Sequence, residues 1–417
     1  MTDRDMETLR EAGLAPTVGE ILGDRPGLYS EVEDALVMPR LPTTDPEPAL
    51  GIHFGIEEEA YHRLPCFSNS LLRKLLASPT LMWANSYLNP EREEKDAEHF
   101  RIGKAYHAMI LEGHDAYTKR FYPLPDPKDY PKALQTADEV KNALKARDLK
   151  PVTRVDVEGG KDGETRAAVK ADHVAQLMAA DRTALVWDHI VGQAERYAGG
   201  RTLIKSDDDL RIRMCARMIQ QDPELAKAFK GGYPEVTLIW RDPRQGVLMK
   251  ARIDYLKLKA IVDLKTYANV KELSARKAIA RTIGEKAYAL QPAVYCQGAD
   301  EVRNIVRAHG ASAIHFHDGW TEEQRSDATA WALKWATWTE PDRFLWLFQA
   351  KGSAPVTRAF YHPLSGTLHS IAQSMFTEGV RKFRECADIF GSDVPWLDLG
   401  EIDDLEEGEI PLFGLEI

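Results

Sequence analysis

Two periods of apolar residues divide this chain. Over most of its length they recur every three or four positions; in the middle, from about 235 to 266, they recur every second position. Period two predicts strands. The first strand covers 235–240 and ends in a turn at Asp242-Pro243-Arg244-Gln245-Gly246. The second covers 247–256, where Val247, Met249, Ala251, Ile253 and Tyr255 share one face and Lys250, Arg252 and Asp254 the other. The third covers 261–266, with Val262 and Leu264 on its apolar face and Asp263 and Lys265 beside Ile261. A four-residue loop at 257–260 sets Leu256 against Ile261, and Asp254 then lies opposite Asp263. A one-residue slip would undo that facing. Two like charges opposed across a sheet destabilise it unless something sits between them. A divalent cation fills that role, with the Lys265 ammonium beside it.

Around these strands the longer period predicts helices over 68–112, 133–147, 165–196, 207–229, 271–299, 321–339 and 366–390. Pro123-Leu124-Pro125-Asp126-Pro127 marks a loop, and 152–163 is a Gly- and charge-rich excursion. Further strands are expected at 311–317, 344–349 and 356–361. The fold class is α/β (α+β): a mixed sheet flanked by helices, with helical N-terminal additions. Trp331, Trp335 and Trp338 form a stripe expected to be core or an oligomer contact. His315 and His317 share a strand face and are expected to be a structural or surface pair, with metal ligation the alternative.

Composition narrows the class. The 417 residues are 44% hydrophobic, as in an ordinary globular protein. No run of eighteen uncharged apolar residues predicts a membrane span. Met1 to Asp5 lack the basic and apolar regions of a signal peptide. Cys66, Cys215, Cys296 and Cys386 are scattered, so a cytoplasmic location with free thiols is expected and an iron–sulfur cluster is not. The net charge is −11, which argues against nucleic-acid binding until its distribution is seen. Residues 1–50 carry 11 acids and 4 bases, and residues 401–417 carry 7 acids and no base, leaving 51–400 at net +3. Residues 1–50, with Pro39, Pro42, Pro46 and Pro48, are expected to be a poorly ordered acidic arm, and 397–417 an acidic tail.

Ile253-Asp254 followed by Asp263-Leu264-Lys265 resembles the core of the PD-(D/E)XK nuclease superfamily. The tripeptide D-x-K alone is not specific. Other segments stand in the family's order. Gly103, His107 and Leu111 stack on one helical face, and Gly-x3-His-x3-Leu-Glu resembles the helix before the catalytic sheet in RecB-like and RecE-like nucleases. Glu235 opens the first strand. Gln291-Pro292-Ala293-Val294-Tyr295 is similar to the Gln-x3-Tyr motif, with the departure that Pro292 disfavours a helix at Gln291 unless the helix begins there. The segment 68–79 is similar to the lead helix of phage and prophage RecE-like exonucleases.

The resemblance implies a restriction-endonuclease-like nuclease domain over 51–396, with its catalytic core at about 100–300. It implies two Mg²⁺ ions, or Mn²⁺ in their place, roughly 3.5–4 Å apart. The implied metal ligands are His107, Asp254, Asp263 and the Leu264 carbonyl, with Glu235 contacting metal-site water. Lys265 would orient or deprotonate the attacking water; Gln291 and Tyr295 would lie near the site. Lys250, Arg252, Thr266 and Tyr295 would contact DNA, and Arg276, Lys277, Arg281 and Lys286 are a second basic series, either phosphate-binding or simply solvated. The implied activity is 5′→3′ degradation of one strand of linear duplex DNA, leaving 3′ overhangs for recombination. The implied partners are double-stranded DNA ends, a RecT-like annealing protein and further copies in a ring, with no membrane. The alternatives are an endonuclease, a RecB-like nuclease module and a catalytically silent DNA-end-binding protein.

Overall fold

The structure is a computed structural model that describes residues 47–92, 98–157, 164–269, 271–352, 354, 356–392 and 394–398. All but a few residues of the expected arm and tail lie outside that range.

In chain order the strands are β1 (Gly51–Phe54), β2 (Phe67–Ser68), β3 (Phe121–Pro123), β4 (Arg154–Asp156), β5 (Thr165–Ala167), β6 (Thr202–Ile204), β7 (Gly232–Arg241), β8 (Leu248–Lys257), β9 (Ala260–Tyr267), β10 (Ile314–Phe316), β11 (Arg343–Ala350) and β12 (Thr357–Tyr361). Eight of them form one mixed sheet in the order β10-β1-β7-β8-β9-β11-β12, with β2 added beside β8. The β1–β7, β7–β8, β8–β9 and β11–β12 pairs are antiparallel; β1–β10, β9–β11 and β2–β8 are parallel. This is the mixed sheet flanked by helices that the sequence predicts.

One face is covered by the helices Leu290–His309 and Thr367–Phe390, which bury Val294, Val302, Phe376 and Val380 against Val236, Leu238, Met249, Ala251 and Ile253. Each fully buried aliphatic side chain of this kind contributes about 1.5–3 kcal/mol. Gly298 lets the first helix come close: a Cβ there would sit 2.6 Å from the Trp240 ring. The other face is smaller. Tyr255, Val262, Leu264 and Leu347 pack against Leu111, Ile219 and Ala228.

The helix expected over 165–196 is broken. Its first residues are β5, paired to β4, and Arg154 donates to the Thr165 hydroxyl. It breaks again at Asp181, whose carboxylate accepts from the Thr183 amide and hydroxyl, a local turn that competes with helix. Helices Lys170–Ala180 and Trp187–Ala198 flank that turn. The strand expected over 311–317 shrinks to β10 because 310–313 close a 3₁₀ turn. Trp335 is fully buried with Trp331 stacked on it, so that part of the stripe is core.

Candidate active site

The site lies where the sheet forks. The β8–β9 hairpin pairs Lys257 with Ala260, so its loop is two residues rather than four. Leu256 faces Ile261 as expected, and the pairing runs on to Tyr255 and Val262. There it stops. β9 turns aside to pair along its whole length with β11, and β2 takes the other end of β8 at Met249 and Lys250. Asp254 and Asp263 occupy the next register positions, in the opening of the fork.

The alternation of β8 slips at the same point. Ile253 and Leu256 both enter the larger core, whereas Tyr255 enters the smaller one. Tyr255 therefore does not continue the apolar face of Ile253, as strict alternation predicts. The neighbouring strand is irregular in the same row: β7 pairs with β8 at Pro234 and Val236 but not at Glu235. Glu235 has φ of 50°, in the left-handed region. Holding a glutamate there costs on the order of 1–3 kcal/mol, a strain that clusters at functional sites. It aims the Glu235 carboxylate at the fork.

His107 completes the group. It ends the helix Glu98–His107, and the chain continues as a π-helical turn over Ala108–Glu112. Such turns are frequent at functional sites because they re-aim the side chains around them. His107 Nδ1 is 3.4 Å from Glu235 Oε1, and its Nε2 is 3.8 Å from Asp254 Oδ2. One donor atom from each of His107, Glu235 and Asp254 lies within 4.8 Å of the others. Asp254 Oδ2 also accepts from the Leu264 amide at 2.7 Å.

Asp263 sits just beyond, fully buried. Its Oδ1 accepts from Gln291 Nε2 at 2.5 Å. Its Oδ2 is 2.5 Å from Lys265 Nζ but has no aligned hydrogen bond. Gln291 reaches Asp263 because the helix starts at Leu290; Pro292 falls in the first turn, where a missing N–H costs nothing. Tyr295, one turn on, is beside Gln291 and has its phenol raised well above the usual range, chiefly by burial.

The electrostatics follow from crowding acids out of water. Burial raises Asp254, with His107 and Lys265 opposing. Burial also raises Asp263; Lys265 opposes that shift and the Asp254 charge adds to it. Burial alone would lower His107, but Asp254 and Glu235 outweigh it and lift the imidazole to about 9. Lys265 is raised because Asp263 and Asp254 outweigh its burial. Carboxylates held together with an imidazole suit a divalent cation. The buried Asp263 Oδ2 is taken up by the Lys265 ammonium, which sets Asp263 apart from the His107, Glu235 and Asp254 group.

Two expected DNA contacts are committed elsewhere. Lys250 is 3% exposed, and its ammonium donates to the Tyr61 and Leu64 carbonyls at 2.7 and 2.9 Å. Arg252 donates to the Ile56 carbonyl at 2.6 Å, and its guanidinium stacks over Tyr61. Both residues clamp the segment 56–64 to the sheet, so the expectation that they contact DNA is withdrawn. Sequence reasoning places them on Asp254's face but does not see what covers that face. Thr266 is half-buried on β9, opposite Gln349 on β11. Leu264 engages Asp254 through its amide.

Residues 200–309 match the sequence profile of a family described as a PDDEXK-like domain of unknown function (DUF3799). That span holds Glu235, Asp254, Asp263, Lys265, Gln291 and Tyr295 but not His107. A crystal structure of a protein from Eubacterium rectale, provisionally named an exonuclease, is similar at 14% identity. The similarity covers 87% of this chain and 98% of that one, with a TM-score of 0.38. No curated protein sequence matches the chain.

Proposed function

We propose that this protein is a divalent-metal-dependent nuclease that hydrolyses phosphodiester bonds of DNA. The observation that carries the reading is the convergence of His107, Glu235 and Asp254 beside the Asp263–Lys265 pair. The match of residues 200–309 to a PDDEXK-like domain supports it. In this reading His107, Glu235 and Asp254 would hold Mg²⁺ or Mn²⁺, with the Asp263 carboxylate beside them as a further ligand. Glu235 is thus a direct ligand rather than a contact to metal-site water. The metal supplies charge neutralisation on the phosphoryl oxygens and a more acidic water.

The rest is the work of the chain's own groups. Lys265, held by Asp263, presents its ammonium to the attacking water and to the charge that builds on the phosphoryl group. Gln291 fixes the Asp263 carboxylate by donating to Oδ1, which leaves Oδ2 to the Lys265 ammonium. Asp254 is fixed in turn by the Leu264 amide. Tyr295 closes the inner wall and stays neutral.

The finer reading is an exonuclease that degrades one strand of linear duplex DNA from its 5′ end. It is tested with Mg²⁺ on three substrates: linear duplex, nicked circle and covalently closed circle. Loss of the linear form alone supports it. Cutting of the closed circle would make the protein an endonuclease, and no cutting of any form would refute the nuclease reading. A ring assembly and an annealing partner are not part of the proposal.

A further inference from the structure

With Lys250 and Arg252 committed to the fold, the phosphates of a bound strand need other partners. Several basic residues near the site are already paired. Lys104 is 3.0 Å from Glu58, and Arg281 is 2.5 Å from Glu285. Arg73, Lys286 and Lys351 are different: among the described residues none of them forms an ion pair with a carboxylate.

The sheet brings these residues to one place. Phe348 on β11 is the cross-strand partner of Lys265. The rings of Tyr288 and Tyr267 lie 6.3 and 6.2 Å from the Phe348 ring. Lys265 Nζ is 5.3 Å from the centre of the Tyr288 ring. Lys286 caps the helix Ala275–Glu285, two residues before Tyr288. Lys351 follows β11, and its amide donates to the Tyr267 carbonyl at 2.9 Å. Among the described residues the Tyr288 hydroxyl has no hydrogen-bond partner. Arg73 lies on the helix Asn69–Ala77, and its charge, like that of Lys265, draws the Tyr288 phenol down against burial and the Asp263 charge. Burial lowers Lys351, and the neighbouring Lys286 ammonium lowers it further. Asp263 is the acid nearby and is already taken up by Lys265, so three cations without carboxylate partners among the described residues, beside a phenol with no partner, leave a place for an anion.

We propose that Arg73, Tyr288, Lys286 and Lys351 form a phosphate-binding subsite beside Lys265, which holds the DNA backbone next to the bond being cut. The subsite rests on the nuclease reading above, because it takes the neighbouring phosphodiester of the same strand. It places the strand's path along β9, from the fork toward Tyr267. The Tyr288 hydroxyl donates to a phosphoryl oxygen, and the three cations neutralise the adjoining charge.

The test is binding of a fluorescent linear duplex in EDTA, where no cutting occurs, across a range of salt concentrations. Removing one cation that neutralises a phosphate should reduce the slope of log K against log salt by about 0.9. Lys286→Ala with Lys351→Ala should therefore lower it by about 1.8, and Lys286→Glu should weaken binding further at every salt concentration. Lys286 is exposed, so its variants give a reading even where a Lys351 change disturbs folding. An unchanged slope in folded variants would overturn the subsite and leave the nuclease reading standing. Wild-type protein that neither binds duplex in EDTA nor cuts it with Mg²⁺ would overturn both.

Discussion

Replacing Lys250 with Met separates a strut from a DNA contact. Methionine keeps most of the apolar stem and removes the ammonium. Burial, aided by the Arg92 and Arg252 charges and opposed by Cys66, lowers Lys250 from 10.5 to about 8. That shift is equivalent to about 3 kcal/mol against the charged form. Against it stand two hydrogen bonds from a charged donor, worth about 1.5–3 kcal/mol each. At pH 7 these opposing effects partly cancel, and Lys250→Met should cost no more than about 3 kcal/mol. The pH response is sharper. Between pH 8 and 10.5 the unfolded chain keeps a proton on Lys250 that the folded chain has lost, so Lys250 adds stability as pH rises. By pH 10 the gain is about 2.5 kcal/mol, and the variant lacks it. Urea unfolding of both proteins at pH 7 and pH 10 measures this, because other titrating groups cancel in the difference. A gap between the two proteins that is the same at both pH values refutes the strut. So does a fall of about one in the salt slope of DNA binding, which a phosphate contact would give.

Further perturbations test other parts of the account. Gln291→Ala frees the Asp263 carboxylate and should lower the rate of DNA cleavage about 10–100-fold, as loss of such supporting groups does, and the lost hydrogen bond to a buried carboxylate should cost about 1.5–3 kcal/mol in urea unfolding; an unaltered rate in the folded variant refutes the positioning role. Gly298→Ala pushes a methyl into the Trp240 ring and should cost about 1–3 kcal/mol in urea unfolding; a neutral result means that the helix can shift. His53 is lowered to about 3, by burial first and then by its neighbour His315, while burial and His369 lower His362 to about 4. Unfolded histidine takes a proton near 6.5 and these folded ones do not, so stability is lost as pH falls below 6.5. Each should remove about 2 kcal/mol by pH 5, and His53→Asn should flatten the acid limb of the stability curve.

The central strands are legible in the sequence because β7, β8 and β9 are long and alternate clearly. The register of Leu256 against Ile261 follows from loop length, although the hairpin loop is tighter than expected. His107, Gln291 and Asp263 can be named from the order of motifs. Periodicity does not show how Glu235 is aimed, because a left-handed φ in mid-strand leaves no mark on the apolar pattern. The slip at Asp254 is invisible for the same reason, and with it the turn of Tyr255 to the second face. Lys250 and Arg252 mislead because alternation gives the side of a strand but not its cover. The segment 56–64 comes from elsewhere in the chain. β1 has four buried residues with no alternation to detect. Tyr288 and Lys351 carry no motif; only the fold around Phe348 brings them together.

The most direct test of the nuclease reading is digestion of an end-labelled linear duplex with Mg²⁺, with wild type set against Lys265→Met and Glu235→Gln after both variants are shown to be folded by circular dichroism. The account predicts metal-dependent release of labelled nucleotides by the wild type and a fall of at least about 100-fold in both variants. Equal cleavage by all three proteins, or none by the wild type, would contradict it.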